Sequence, residues 1–313
     1  MSAERPDHSP GRRKAGRRST VITVALLTSL SVAGLAGCSQ GDGDKNGDLH
    51  TKRERSSAQP KAPTIPWNTK PRTLTAVGDS ITRGFDACSL MSDCPKVSWS
   101  TGTDPSVNSL ASRLLRNPSR QATNLARSGA KMDELPAQLD KAADDRPDLV
   151  TVMIGGNDAC TKTVGEMTPV SEFRADFNRG LRMLREKSPR SQLYVASVPN
   201  LKRLWQQGST SPFGVGVWNL GICQSMLKDA KSTDATATKR RETVHQRVRA
   251  YNRALREVCA TDDRCRYDNG AVYDYRFTTE ELSKWDYFHP SKQGQRKLSA
   301  LTYRQIVSAR APH

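Results

Sequence analysis

Apolar positions fall into two alternating rhythms from about residue 73 onward. Residues 73–77, 148–154 and 192–198 are short, largely apolar runs closed by Gly78, by Gly155 and Gly156, and by Pro199. Runs of that length bounded by turn residues predict buried strands, and residues 122–125 make a weaker fourth candidate. Helical spacing appears between and after them. Val107, Leu110, Leu114 and Leu115 recur within 106–116, behind a start signal at Asp104 and Pro105. Phe173, Phe177, Leu181 and Leu184 share one helix face, as do Val244, Val248, Tyr251, Leu255 and Val258, and 291–309 is amphipathic. Strands alternating with helices predict an α/β domain, a central parallel sheet with helices on both faces. Its span of about 240 residues suits one domain, and no internal repeat is visible. Residues 201–237 lack clean periodicity, which predicts a long loop or cap near the ligand site.

The first 72 residues follow neither rhythm. Residues 1–37 place Arg12, Arg13, Lys14, Arg17 and Arg18 ahead of an apolar run over 21–35. That run is short of the roughly 20 residues a membrane span needs, and the order is that of an export signal. It reaches Leu35, Ala36, Gly37 and Cys38, which resembles a bacterial lipobox and makes Cys38 the expected lipidation site. Residues 38–72 are rich in Gly, Ser, Asp, Lys and Pro, hold too little apolar surface for a core, and are expected to form a disordered tether. A monomeric folded domain over 73–313, held by lipid on the outer face of a bacterial membrane, is the resulting expectation.

Charge and cysteine content refine this picture. The formal net charge is +17, and thirteen basic against six acidic residues precede Thr73, so the domain keeps about +10. A basic surface suits an anionic membrane or wall polymer. Few aromatics and no recognition motif argue against a nucleic-acid partner. Seven cysteines in an exported chain point to disulfides. With Cys38 lipidated, six remain, for which fifteen connectivities exist. Cys88 with Cys94, and Cys259 with Cys265, can each close a small loop, leaving Cys160 with Cys223. These spacings are not CxxC and no HExxH occurs, so neither a metal nor another cofactor is expected.

The candidate chemistry sits at strand ends. Gly78, Asp79 and Ser80 follow the first predicted strand, and Gly155, Gly156, Asn157 and Asp158 follow a later one. Ligands of open parallel sheets bind beyond the carboxyl ends of the strands. A serine hydroxyl there is a weak nucleophile until an oriented base takes its proton. Of five histidines, His8 lies in the export segment, His50 in the tether, His313 at the terminus and His245 in the basic run 239–247. His289 remains as the base, with Asp286 three residues ahead to orient it. Ser80 N–H, Gly129 in the turn after the second strand and the Asn157 side-chain amide could together receive an oxyanion. Gly37, Cys38, Ser39, Gln40 and Gly41 also match G-x-S-x-G, but no strand or helix frames them at the processing site. Leu201, Leu204, Trp205, Phe213, Val215, Val217 and Trp218 are expected to line an apolar acyl pocket.

Taken together, these blocks resemble the SGNH (GDSL) hydrolase superfamily, in which four blocks carry Ser, Gly, Asn and His. They correspond here to Ser80, Gly129, Asn157 and His289 with Asp286, over roughly residues 73–310. Ile81 stands where many members have Leu. The resemblance implies a flavodoxin-like three-layer α/β/α sandwich and metal-free serine ester hydrolysis of the exported bacterial lipase and esterase kind. Lipids, small acyl esters and acetylated polysaccharides all stay open as substrates, and a non-catalytic lipoprotein binding a wall or lipid ligand is the alternative.

Overall fold

The computed structural model describes residues 66–308. The expected export segment, Cys38 and the tether as far as residue 65 lie outside the described residues. Residues 66–72, whose composition suggested more tether, are instead docked on the domain. Trp67 donates its indole N–H to Ile306 O at 2.9 Å, and its ring carries the Arg266 guanidinium 4.3 Å from the centroid.

Strand β1 (Leu74–Gly78) leads into a single helical turn, α1 (Ser80–Arg83). Two short helices, α2 (Leu110–Leu114) and α3 (Pro118–Gln121), precede β2 (Ala122–Asn124). Next come α4 (Leu135–Asp144), β3 (Leu149–Met153), α5 (Gly156–Ala159), α6 (Val170–Lys187) and β4 (Gln192–Val195). Residues 201–227 hold α7 (Leu201–Gly208), α8 (Pro212–Trp218) and α9 (Gln224–Leu227). The chain ends with α10 (Ala235–Cys259), β5 (Cys265–Tyr267), α11 (Ala271–Asp274) and α12 (Lys292–Val307).

The five strands form one parallel sheet in the order β2-β1-β3-β4-β5. Although β1, β3 and β4 are buried end to end, their side chains still divide between faces with period two. Val77, Val150, Val152, Leu193 and Val195 pack under Leu139, Phe173, Phe177 and Val248 of α4, α6 and α10. Leu74, Ala76, Leu149, Met153 and Tyr194 face Trp99, Leu110, Leu298 and Ile306, the last three from α2 and α12. Each fully buried large side chain contributes roughly 1.5–3 kcal/mol, so the paired faces define the three layers. The sandwich expected from the sequence is present.

Several local departures have simple causes. The helix expected over 106–116 begins at Leu110, because Ser109 caps it by accepting from Ser112 N–H at 3.2 Å. The helix striped by Val244 to Val258 starts nine residues earlier, where Asp234 accepts from Ala237 N–H at 2.7 Å. Residues 201–237 are a helical cap rather than a long loop. The three disulfides among the described residues are Cys88–Cys94 and Cys259–Cys265, the pairs expected to close small loops, and Cys160–Cys223, the pair left over.

Candidate active site

Gly78 ends β1 at φ +140°, and a Cβ there would lie 2.1 Å from Met153 O. Only glycine lets the two strand ends approach so closely. Gln138 of α4 then clamps the turn, accepting from Gly78 N–H at 2.7 Å and donating to Gly78 O at 3.0 Å. Asp79 caps α1 by accepting from Ile81 N–H at 3.0 Å. Ser80, the first residue of that turn, points its hydroxyl across the sheet edge.

There Ser80 Oγ lies 2.9 Å from His289 Nε2, and His289 Nδ1 lies 2.5 Å from Asp286 Oδ2. The other carboxylate oxygen of Asp286 accepts from Phe288 N–H at 2.9 Å and from His289 N–H at 3.0 Å. The tight turn is thus closed by the carboxylate that orients the imidazole. The Asp286 carbonyl accepts from the Trp218 indole at 2.9 Å, and the Phe85 ring packs on the imidazole at 4.9 Å between centroids. Ser80 (7 % exposed) and Asp286 (3 %) are both buried.

Electrostatics follow from that burial. Burial opposes charge on His289, but the hydrogen bond and charge of Asp286, helped by Asp79 and Asp86, raise its pKa above the usual imidazole value. Burial likewise disfavours ionised Asp286, yet the His289 and backbone donors hold its carboxyl below the usual range. Asp79 has no comparable set of donors, and burial pushes its carboxyl up to about 7.

The expected oxyanion donors come from three strand-end turns, those after β1, β2 and β3. Asn157, in the first turn of α5, donates through its amide to Ala130 O at 3.0 Å. That bond uses one amide N–H and fixes the group, leaving the second N–H without a partner among the described residues. Next to it, Asp158 accepts from Met132 N–H at 3.0 Å and 3.2 Å. Residues 157 and 158 therefore grip the turn that contains Gly129. Gly129 has φ +83° and open space where a Cβ would stand, so conformation rather than crowding favours glycine there. The backbone N–H groups of Ser80 and Gly129 have no partner among the described residues.

Beside Ser80 opens a narrow apolar pocket with a cavity volume of about 50 Å³, walled by Ile81, Leu201, Leu204, Phe277, Leu282 and Phe288. Asn157 shares its rim. Of the seven side chains expected to line an acyl pocket, only Leu201 and Leu204 do so. Trp205 lies beneath the Arg241 guanidinium and Val215 packs on the core. Phe213 is 59 % exposed against Tyr287, while Trp218 is spent on Asp286; Val217 is half-buried and outside the pocket. The helical turn of α7 sends only one face to the pocket. His245, set aside on sequence grounds, meets Tyr273 instead, 3.5 Å from its hydroxyl.

Asp86, Asp286 and His289 each offer a ligand-type atom within 4.8 Å of the others. Both imidazole nitrogens are already engaged, by Ser80 and by Asp286, so the trio is a hydrogen-bonded network rather than a ready cation site. Trp218, Phe85 and Asp86 escaped sequence reasoning as supports of the base, since no periodicity or motif marks them.

A parallel sheet with a serine hydroxyl hydrogen-bonded to a histidine at its carboxyl edge is an arrangement compatible with an α/β serine hydrolase. The chain belongs to the GDSL-like Lipase/Acylhydrolase family, whose model matches residues 76–297, and it is a serine ester hydrolase. Among solved structures it is similar to an extracellular lipase from Streptomyces rimosus, with 17 % identity over 76 % of this chain and 100 % of that one and a TM-score of 0.45. It is also similar to the lipase Lip_vut3 from a goat rumen metagenome, at 17 % identity, 74 % and 95 % coverage and a TM-score of 0.45. A family two carbohydrate esterase from Cellvibrio japonicus shows 13 % identity, 79 % and 63 % coverage and a TM-score of 0.43. No curated protein sequence matches the chain.

Proposed function

We propose that this protein hydrolyses short-acyl carboxylic esters through an acyl-enzyme on Ser80, at the outer surface of the cell. The continuous hydrogen-bonded line from Ser80 through His289 to Asp286 carries the reading. His289 Nε2 takes the hydroxyl proton as Ser80 Oγ bonds to the ester carbonyl carbon. The carbonyl π electrons move onto oxygen, and Ser80 N–H, Gly129 N–H and the free Asn157 amide N–H receive that charge. On collapse the C–O bond to the alcohol breaks, and the imidazolium returns its proton to the departing oxygen. Water, deprotonated by the same imidazole, then releases the acid and restores Ser80.

The pocket supports the choice of acyl group. A cavity of about 50 Å³ beside Ser80 is small for a ligand pocket, and this supports a short acyl group over a long chain. Attachment through lipidated Cys38 is proposed from the lipobox-like sequence, and the three disulfides support an oxidising compartment.

A fluorophosphonate probe and a series of p-nitrophenyl esters from acetate to palmitate test this reading. Wild-type protein is expected to label covalently and to prefer the shortest acyl chains of the series, in keeping with the small cavity beside Ser80. Ser80→Ala should abolish both labelling and turnover while the thermal transition survives. Hydrolysis that persists in Ser80→Ala would remove the nucleophile assignment, and preference for long chains would remove the short-acyl one.

A further inference from the structure

The proposed reaction employs one carboxylate, yet a second stands against the same imidazole. Asp86 follows α1 and is 3 % exposed. One of its oxygens, one of Asp286 and a ring nitrogen of His289 lie within 4.8 Å of one another. The loop is built to hold it there. Asp86 has φ 55°, a left-handed conformation that aspartate tolerates better than most side chains. Its N–H donates to Ser92 O at 3.0 Å, its carboxylate accepts from Met91 N–H, and Cys88–Cys94 closes the loop. Its carbonyl accepts from Ser283 Oγ at 2.7 Å. Ser283 N–H in turn donates to His289 O at 2.7 Å, and its carbonyl accepts from Tyr287 N–H at 2.9 Å. One serine therefore pins the backbone of Asp86 to the backbone that carries the triad base.

Two adjoining buried carboxyls resist carrying two negative charges. The donors around them are unequal. Asp286 receives the His289 ring and two backbone N–H groups, whereas Asp86 receives Met91 N–H alone among the described residues. A proton added to this pair therefore goes to Asp86 before Asp286, and burial together with Asp286 pushes the Asp86 carboxyl up to about 6.

We propose that Asp86 is a positioning residue of the triad: protonated, it donates a hydrogen bond to Asp286; ionised, it adds a second negative charge beside the imidazole, so the basicity of His289 follows the charge on Asp86. The proposal rests on the roles given above to Ser80, His289 and Asp286. Other charges face this cluster. Asp79 approaches from the Ser80 turn. Lys96, Glu280, Lys284 and Lys292 line the depression outside Asp86, with Lys292 paired to Asp104 at 3.2 Å. Of the carboxylates acting on the ring, Asp286 is strongest, followed by Asp79 and Asp86. As pH falls and Asp86 gains its proton, His289 loses a neighbouring anion and binds its own proton less tightly. The two protonations oppose each other, so His289 titrates over a wider range than a single group would.

Asp86→Asn keeps the shape and an N–H donor but removes the charge. ¹⁵N NMR titration of the His289 ring, compared between Ser80→Ala and Ser80→Ala/Asp86→Asn, is expected to show a midpoint lower by about half a pH unit and a narrower transition in the double variant. The acid limb of kcat/KM for p-nitrophenyl acetate should move the same way in Asp86→Asn. An unmoved midpoint overturns the proposal whatever the activity. If Asp86→Asn fails to fold, Ser80→Ala/Asp79→Asn decides: with the charge of Asp79 gone, a broadened His289 transition supports the coupling to Asp86, and a single-ionisation curve overturns it. Failure of the underlying triad would be seen separately, as wild-type protein that does not label with fluorophosphonate.

Discussion

Ser80 has two unlike flanks. Toward Gly129 and Asn157, the polar groups hang from strand-end turns and are fixed by few bonds: the Asn157 amide to Ala130 O, and Asp158 to Met132 N–H. Toward His289, support comes from every side, including Asp286, Trp218, Phe85 and the Ser283 bridge. The two flanks have different tasks. Oxyanion donors need only point at one place, and backbone geometry largely does this. A base that accepts and returns a proton must keep one tautomer and one position through both protonation states. The denser scaffold surrounds the group whose charge changes.

The largest test of this contrast is Asp286→Asn, which preserves shape and takes away the carboxylate that fixes the tautomer. A loss of about 10⁴ in kcat is expected, measured on a short aryl ester with the thermal transition as a control. A loss under tenfold would mean that the remaining scaffold orients His289 without it. Asn157→Ala should cost about 10² to 10³ in kcat with KM nearly unchanged, and a pure KM effect would move Asn157 from the transition state to ground-state binding. Trp218→Phe deletes one N–H donated to the Asp286 carbonyl. At about 1 kcal/mol for a net hydrogen bond, a roughly fivefold fall in kcat is expected. No change would show that the base flank tolerates losing one strut.

The smallest effect separates activity from stability. Asp79, Asp86 and Asp158 have folded pKa values of about 7, 6 and 6, against 3.8 for the free side chain; burial is the leading cause in each. Their favourable contribution to folding is complete below the unfolded value and is lost as pH rises through the folded ones. His289 acts in the same direction, because its folded pKa is also raised. Thermal melts should therefore give a higher Tm at pH 5.5 than at pH 8. Hydrolysis should fall over the same interval, with its midpoint above the usual imidazole value of about 6.5. A Tm that drops on acidification would mean that these carboxyls are buried ionised.

The legible and illegible parts of the molecule divide along similar lines. Ser80 and Asn157 follow apolar runs closed by glycine, so a strand-end rule places them. His289 stands out because the other histidines sit in unsuitable surroundings. Four strands and the longest helices carry enough period to be read. Strand β5 has only three residues, Cys265 to Tyr267, and takes its order from pairing with β4. Helix α4 begins at Leu135 with proline as its second residue, and its short stripe of Leu139, Ala142 and Ala143 is weak beside Phe173 and Phe177. The supports of the base were hidden for another reason. Phe85, Asp86, Trp218 and Ser283 act through contacts across many tens to about two hundred positions, which no local pattern records.

The Cys160–Cys223 bond spans 63 residues and joins the segment just after Asn157 to the cap between α8 and α9. The other two bonds span six residues each and can form from local encounters. The long one encloses α6, β4, α7 and α8, so its ends meet across tertiary structure. Closing a loop of that size contributes roughly 4 kcal/mol in the chain-entropy picture. Two of the bonds are thus local clasps, while the third ties the turn after Asn157 to the cap. Reducing that one bond should therefore loosen the cap from the Asn157 turn, an effect that loss of either local clasp would not have.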